Sequence, residues 1–382
     1  MKILHINCNY LTTVLHQTMV EHLQERGVEN TVFAPTYDAK LSVIDPHENV
    51  IVSRCFHRRD RYIFHYKQRK IQKAVESATD VKGFDCIHAY TLFTDGNCAR
   101  NLSRKYAVPY VVAVRSTDVN TFFKKMKHLR GLGVEILRDA SAVYFLSQPY
   151  REQVLNRYVP KEYREEILQK SYIVGNGIDP FWLENPVSLE TVLPVRLNRI
   201  KNRELRIVFA GRVNANKNPL TTLEAVRILR ERGWKVHFSV VGKAEDQQVL
   251  KKLEADPNTG YISQKPKEEL LTIYRENDIF VMPSYKETFG LVYAEAMSQG
   301  LPVIYTRGQG FAGQLPEGTA GYAVDPSDPT EIADRVENIA GNYTEMAENA
   351  KVCAAKFNWN DICETYKEHY EKISGNHRGT AL

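Results

Sequence analysis

Short apolar runs alternate along this chain with stretches whose apolar residues recur every three or four positions. Residues 2–7 have the pattern of a strand. Leu15, Met19 and Leu23 then keep a four-residue spacing that marks one helix face, and Gly27 is placed to stop that helix. Residues 31–34, 86–89, 110–114 and 142–146 follow as strands. A second series covers 206–210, 237–241, 260–262, 279–282 and 303–305. The alternation predicts two α/β halves, each a parallel sheet wrapped by helices. Residues 172–186 (YIVGNGIDPFWLENP) are rich in Gly, Pro and Asn and read as a linker. Residues 357–373 carry Trp359, Ile362, Tyr366 and Tyr370 at helical spacing, and residues 374–382 are expected to be loose. The expected boundaries are 1–175, 176–355 and a terminal helix in 356–382.

The size agrees with two cores, since 382 residues exceed one ordinary domain. Apolar residues make up 43% and charged residues 25%, the composition of an ordinary globular protein. No run of about 18 apolar residues is present to span a bilayer. The first residues, MKILHINCNY, enter a strand without the pattern of a secretory signal. The six cysteines (8, 55, 86, 98, 353 and 363) form no Cys-x-x-Cys pair, which argues against a zinc site or disulfide framework. A cytoplasmic location is therefore expected, with a peripheral place at the inner membrane face as an extension of it.

Charge divides the halves. Residues 1–175 hold 26 Lys and Arg against 18 Asp and Glu, while the remainder holds 25 against 28. The densest basic stretch is 54–73, with Tyr62, Phe64 and Tyr66 interleaved, and Lys124, Lys125, Lys127 and Arg130 form a second cluster. Three readings stand: solvated helix faces, a seat for an anionic acceptor, or contact with an anionic membrane. No recognition motif accompanies the charge, so nucleic acid is not expected as a partner.

The chemistry concentrates in PSYKETFGLVYAEAMSQGLPV, residues 283–303. An apolar strand ends at Pro283, Gly290 relaxes the backbone, and 291–299 read as a helix stopped by Gly300 and Pro302. A strand, a glycine turn and a helix N-terminus together favour an anion, because unpaired N–H groups and the helix dipole point at the turn. Glu287 and Glu295 flank that turn. Acids beside an anion seat suit a ligand with phosphates in its middle and hydroxyls at its ends, as in a nucleotide sugar.

Glu287, Phe289, Gly290, Leu291, Glu295, Gly300, Pro302 and Val303 resemble the signature of the family 4 retaining glycosyltransferases. The resemblance is specific over about residues 172–303. It implies the GT-B fold: two Rossmann-like, doubly wound parallel-sheet domains facing a cleft, with a C-terminal helix crossing back. It implies transfer of a sugar from a nucleoside diphosphate to an acceptor hydroxyl with retained configuration, in bacterial surface-polysaccharide or lipid-linked glycan synthesis. IVFAGRVNANKNPL (207–220) adds Gly211, then Arg212, then Lys217 five positions on, with Asn218 where relatives commonly have Gly. Asn218 is also the expected cap of a helix opened by Pro219. By resemblance, Arg212 and Lys217 neutralise the leaving diphosphate, Glu287 contacts donor-sugar hydroxyls, and Glu295 binds the ribose diol. The N–H groups of Phe289, Gly290 and Leu291 hold phosphate, with Gly211 beside them. Charge that grows on the leaving phosphate is stabilised most in the transition state, and losing one such donor typically costs about 3–4 kcal/mol. No metal and no cofactor are expected, only the donor substrate, with a UDP-sugar favoured; no Asp-x-Asp occurs.

The N-terminal half departs further from the family. The loop after the first strand has Asn7, Cys8 and Asn9 where many relatives are Gly-rich, and no G-x-G-x-x-G follows that strand to support a nicotinamide cofactor. Arg115 stands where relatives often have His, with Asp118 three residues on. It is read either as a ligand of phosphate or an acidic acceptor, or as the partner of Asp118 in an ion pair. His88 follows a strand end and is read either as acceptor-side or as a core hydrogen-bonding residue. Asn9 and Asn176 complete the acceptor-side candidates; Asn176 belongs to the Asn-Gly-x-Asp segment that, in the family, enters the second domain. Two rival readings are a nucleotide-sugar epimerase on the same fold and a non-catalytic nucleotide-binding scaffold.

Overall fold

The structure is a computed structural model that describes residues 1–38 and 48–379, with side chains described to Gly375. Contacts divide the chain into one unit of Met1–Gly177 with Trp359–Leu382 and a second of Ile178–Asn358.

The first unit holds strands β1 (Lys2–Ile6), β2 (Glu29–Pro35), β3 (Val50–Ser53), β4 (Cys86–Ala89), β5 (Tyr110–Val114), β6 (Ala142–Phe145) and β7 (Ser171–Ile173). They form one sheet in the order β3-β2-β1-β4-β5-β6-β7. Every neighbouring pair is parallel, so the chain must cross over between successive strands rather than turn back in a hairpin. The central strands β4 and β5 are buried along their whole length, because helices cover both faces. One face packs on Ile71, Val75 and Leu102 of the Phe64–Ala78 and Thr94–Tyr106 helices. The other packs on Met19 and Leu23 of the Val14–Glu25 helix and on Trp359, Ile362, Tyr366 and Tyr370 of the Trp359–Gly379 helix. Gly27 follows the first of these helices with a φ of +76°, as its position predicts. The terminal helix runs past Ile373 to Gly379, so residues 374–379 are not loose as expected; residues 380–382 lie outside the described residues.

The second unit holds β8 (Glu204–Ala210), β9 (Lys235–Val241), β10 (Thr259–Ile262), β11 (Ile279–Val281), β12 (Val303–Thr306) and β13 (Gly321–Val324). Their order is β10-β9-β8-β11-β12-β13, again all parallel. Both sheets thus carry the doubly wound order, which reverses between β1 and β4 in one unit and between β8 and β11 in the other. The carboxyl ends of strands flanking such a reversal open a crevice in which ligands bind. The stretch read as a linker is not structureless: Ser171–Ile173 is a strand and Pro180–Glu184 a short helix capped by Asp179.

Candidate functional site

In the second unit the reversal places two loops side by side. One leaves β8 through Gly211, Arg212 and Lys217; the other leaves β11 through Pro283, Ser284 and Glu287. Side chains fasten them together. Asn216 Nδ2 donates to the Lys286 carbonyl at 3.0 Å, and the Tyr285 N–H donates to the Asn216 carbonyl at 2.8 Å. Lys217 Nζ reaches Glu287 Oε2 at 2.5 Å, with only 14% and 10% of the two side chains exposed. The backbone N–H of Lys217 donates to Asn214 Oδ1, and that of Glu287 to Gln309 Oε1. An ion pair so enclosed and braced from both sides is a preorganised pair of opposite charges.

Arg212 stands differently. Its side chain is 63% exposed, and its nearest carboxylate is Glu245, at 3.4 Å. The Asn214 amide and the Arg212 charge hold the Glu245 carboxyl below its ordinary range. The two cations therefore leave one loop, each beside its own carboxylate.

Asn218 occupies the N-cap position of the Pro219–Glu231 helix in a left-handed conformation (φ +60°), but its side chain does not cap. Its amide donates instead to the carbonyls of Pro283 and Pro326, at 3.0 and 2.6 Å. The expectation of a side-chain cap is corrected. The left-handed turn explains why glycine is common in relatives there, and the cross-loop bonds offset the absence of glycine. The helix start carries no side-chain cap, and Pro219 has no N–H to satisfy.

Gly290 turns the chain into the Leu291–Ser298 helix with a φ of +87°, and it too leaves the helix without a side-chain cap. A Cβ there would lie 2.4 Å from the Tyr293 ring, so only glycine suits the turn. Phe289 is buried just before it, against Phe357. Glu295 lies on that helix. Burial, with the charge of Asp179 second, pushes its carboxyl up to about 7. Among the described residues no hydrogen bond or ion pair engages that carboxylate. The helix is held from its far end by the fully buried Arg196, which donates to the carbonyls of Gln299 and Gly300.

The acceptor-side candidates divide. His88 is corrected from an acceptor-side reading to a core residue. It is fully buried, bonds Tyr370 Oη at 2.5 Å and stacks on Tyr90, and burial holds its pKa well below the ordinary value. Asp118 is buried as well. Its oxygens accept from the backbone N–H groups of Leu92, Phe93 and Arg115, and burial raises it to about 6. The Arg115 guanidinium donates to the Tyr90 carbonyl and to Asn176 Oδ1, so the ion-pair reading of Arg115 and Asp118 is replaced by a backbone bond. Asn176 is thereby a partner of Arg115, and Asn9 is exposed in the loop after β1. Sequence reasoning missed Asn214, Asn216, Gln309 and Arg196. Their one linear signal is position: all but Arg196 follow a strand's carboxyl end.

The family profile of Glycosyl transferases group 1 matches residues 196–356, and that of Glycosyltransferase Family 4 matches 13–180. The chain thus carries, one after the other, segments that match both glycosyltransferase profiles, and it has the GT-B fold. Among curated relatives, D-inositol 3-phosphate glycosyltransferase of Corynebacterium jeikeium is 34% identical over 188 residues, 45% of each chain. The enzyme of that name from Corynebacterium kroppenstedtii is 30% identical over 43% of this chain and 40% of its own length. The chain thus matches less than half the length of these relatives. A glycosyltransferase of Methanocaldococcus jannaschii aligns more fully, at 20% identity over 93% of both chains. Solved structures share the fold: sucrose-phosphate synthase of Thermosynechococcus elongatus (TM-score 0.74, 19% identity, 98% and 99% coverage) and Anabaena HepE in complex with UDP and glucose (0.65, 17%, 96% and 98%). The fold is the one the motif at 283–303 implies, and both matched profiles are those of glycosyltransferases.

Proposed function

We propose that this protein is a retaining glycosyltransferase that takes a sugar from a nucleoside diphosphate, with UDP-sugars favoured, and places it on an acceptor hydroxyl. The observation that carries the reading is the enclosed Lys217–Glu287 pair at the carboxyl ends of β8 and β11, beside the uncapped start of the Leu291–Ser298 helix. Lys217 and Arg212 would take the diphosphate, and the helix start and the N–H groups around Gly290 would take its oxygens. Glu287 would accept from the sugar's hydroxyls and Glu295 from the ribose diol. The anomeric carbon–phosphate oxygen bond breaks and the acceptor oxygen bonds that carbon from the same face. The acceptor proton passes to the departing phosphate oxygen, so no protein base is needed. That neighbours of this fold bind UDP and UDP-glucose supports the choice of base. No particular observation favours an epimerase or an idle scaffold.

The product is expected to belong to a surface polysaccharide or a lipid-linked glycan. Part of the same proposal is contact between the first unit and an anionic membrane. It is supported by Tyr62 and Ile63, 91% and 61% exposed, beside Arg58, Arg59 and Arg61. Co-sedimentation with anionic vesicles that weakens with salt is its check.

Calorimetric titration with UDP, GDP and ADP tests the central reading. UDP is expected to bind one to one, and Lys217→Ala to weaken binding about tenfold or more and to abolish turnover of UDP-sugars. A protein that binds none of the three nucleotides, or a folded Lys217→Ala variant with full activity, refutes it.

A further inference from the structure

Glu245 stands where two loops of the second unit meet. The chain leaves β8 through Gly211, Arg212 and Val213, and leaves β9 through Gly242 and Lys243. Backbone bonds lock these exits together. The Val213 N–H donates to the Lys243 carbonyl at 2.9 Å, and the N–H groups of Glu245 and Asp246 both donate to the Val213 carbonyl at 3.1 Å. Asp246 then caps the Gln247–Glu254 helix. The backbone of Glu245 is thus fixed on both sides, and its side chain reaches across to the β8 loop.

The two oxygens of that carboxylate have different partners. Oε2 accepts from Asn214 Nδ2 at 2.7 Å, and Asn214 Oδ1 in turn accepts the Lys217 N–H at 2.9 Å. A carboxylate on one side and an N–H donor on the other leave the Asn214 amide one orientation. Glu245 therefore braces, through Asn214, the loop that presents Lys217. Oε1 accepts from Arg212 Nη1 at 3.4 Å. That contact is of another kind, because both side chains reach solvent, whereas the Lys217–Glu287 pair is enclosed. An exposed pair is screened by water and gives way to a more highly charged anion. Glu245, held below the ordinary carboxylate range, keeps its charge at neutral pH.

We propose that Glu245 is a positioning residue with two opposed effects on the diphosphate: Oε2 fixes the loop of Lys217, and Oε1 competes with the ligand for Arg212. The inference rests on the donor reading above and adds a device that loosens the site's hold on the spent nucleotide. Once the sugar has left, the terminal phosphate is a monoester and carries more negative charge than in the donor. Two cations with no competitor would therefore grip the product harder than the substrate. A carboxylate that offers Arg212 an alternative partner weakens that grip, and its fixed backbone keeps the alternative in reach.

Titration with UDP of the parent, Glu245→Gln, Glu245→Ala, Arg212→Gln and the double variant Arg212→Gln/Glu245→Gln tests this. Glu245→Gln removes the charge but keeps an oxygen for Asn214. It is expected to bind UDP about three- to fivefold tighter than the parent. In the Arg212→Gln background the same change is expected to lose most of that gain, since the competition is for Arg212. Glu245→Ala, which also frees Asn214, is expected to bind UDP less tightly than Glu245→Gln. A role in structure alone has the opposite sign: Glu245→Gln would bind UDP no tighter than the parent, and that result overturns the proposal. An undiminished gain in the Arg212→Gln background overturns it as well, because Glu245 would then act on the ligand directly. Equal affinities of Glu245→Ala and Glu245→Gln refute the brace through Asn214. A parent that binds no UDP refutes the donor reading and this inference with it, whereas a parent that binds UDP without the gain in Glu245→Gln refutes this inference alone.

Discussion

Glu295 and Lys217 act through opposite physical routes. Lys217 lies 2.5 Å from a carboxylate, whereas Glu295 has no hydrogen-bond or ion-pair partner among the described residues and desolvation raises its carboxyl to about 7. If Glu295 accepts from the ribose hydroxyls, its ionised form is the binding form. UDP affinity is then expected to rise with pH from 6 to 8, by up to about tenfold per unit below the pKa, and Glu295→Gln should flatten the profile. Stability runs the other way. The folded pKa lies above the unfolded one, so this carboxyl's contribution is fully present below about 4.5 and is lost as pH rises through about 7. Glu295→Gln should therefore be more stable than the parent at pH 8, by on the order of 2 kcal/mol. UDP titrations and thermal melts at pH 6 and 8 read both effects. A parent protein with pH-independent UDP affinity rules out the ribose assignment.

Strands and turns show why part of this site could be read in advance. Central strands such as β5 and β11 are buried on both faces, and their unbroken apolar runs stand out in the sequence. The strands that escaped notice, β3, β7 and β13, all lie at sheet edges, where one side needs no apolar run. Gly290 announced its turn, but Asn218 could not announce that its side chain would bridge to Pro283 and Pro326, residues far along the chain. His88 lies near the carboxyl end of β4 and Asp118 follows β5, places where ligand residues gather, and only their burial reveals them as core. Gly242 was missed for the same reason. It follows β9 with a φ of +145°, and a Cβ there would lie 1.8 Å from the Gly211 carbonyl oxygen. Gly242→Ala must push the end of β8 aside, and with it the loop that carries Arg212 and Lys217. A loss of more than about 3 kcal/mol is expected, read as a lowered urea midpoint together with loss of UDP binding. A variant with the parent's midpoint and affinity shows that the close approach of the two backbones is dispensable.

The chain enters the second unit after Gly177 and leaves it before Trp359, so the first unit is closed by a helix made last. That helix brings Trp359, Ile362, Cys363, Tyr366 and Tyr370 onto the sheet face that also holds Met19, Tyr90 and Tyr144. His88 bonds Tyr370 there, and Arg26 of the first helix's end meets Glu364 at 3.4 Å. Residues 1–177 alone would leave this face in water, where its apolar area favours aggregation over folding. The second unit depends on no such return. Its six-stranded sheet is continuous in sequence, and Gly211, Arg212, Lys217, Glu287, Gly290 and Glu295 all fall within it. A fragment of residues 178–358 is therefore expected to unfold cooperatively and to bind UDP, while a fragment of residues 1–177 is expected to be insoluble unless a peptide of residues 359–379 is supplied with it. Calorimetric melting of the first fragment and soluble yield of the second, with and without the peptide, measure the two halves of this expectation. A 178–358 fragment that folds but ignores UDP would mean that residues outside 178–358 are required to bind the donor, and a soluble, cooperatively melting 1–177 would mean that the terminal helix is an accessory to the first core rather than its missing wall.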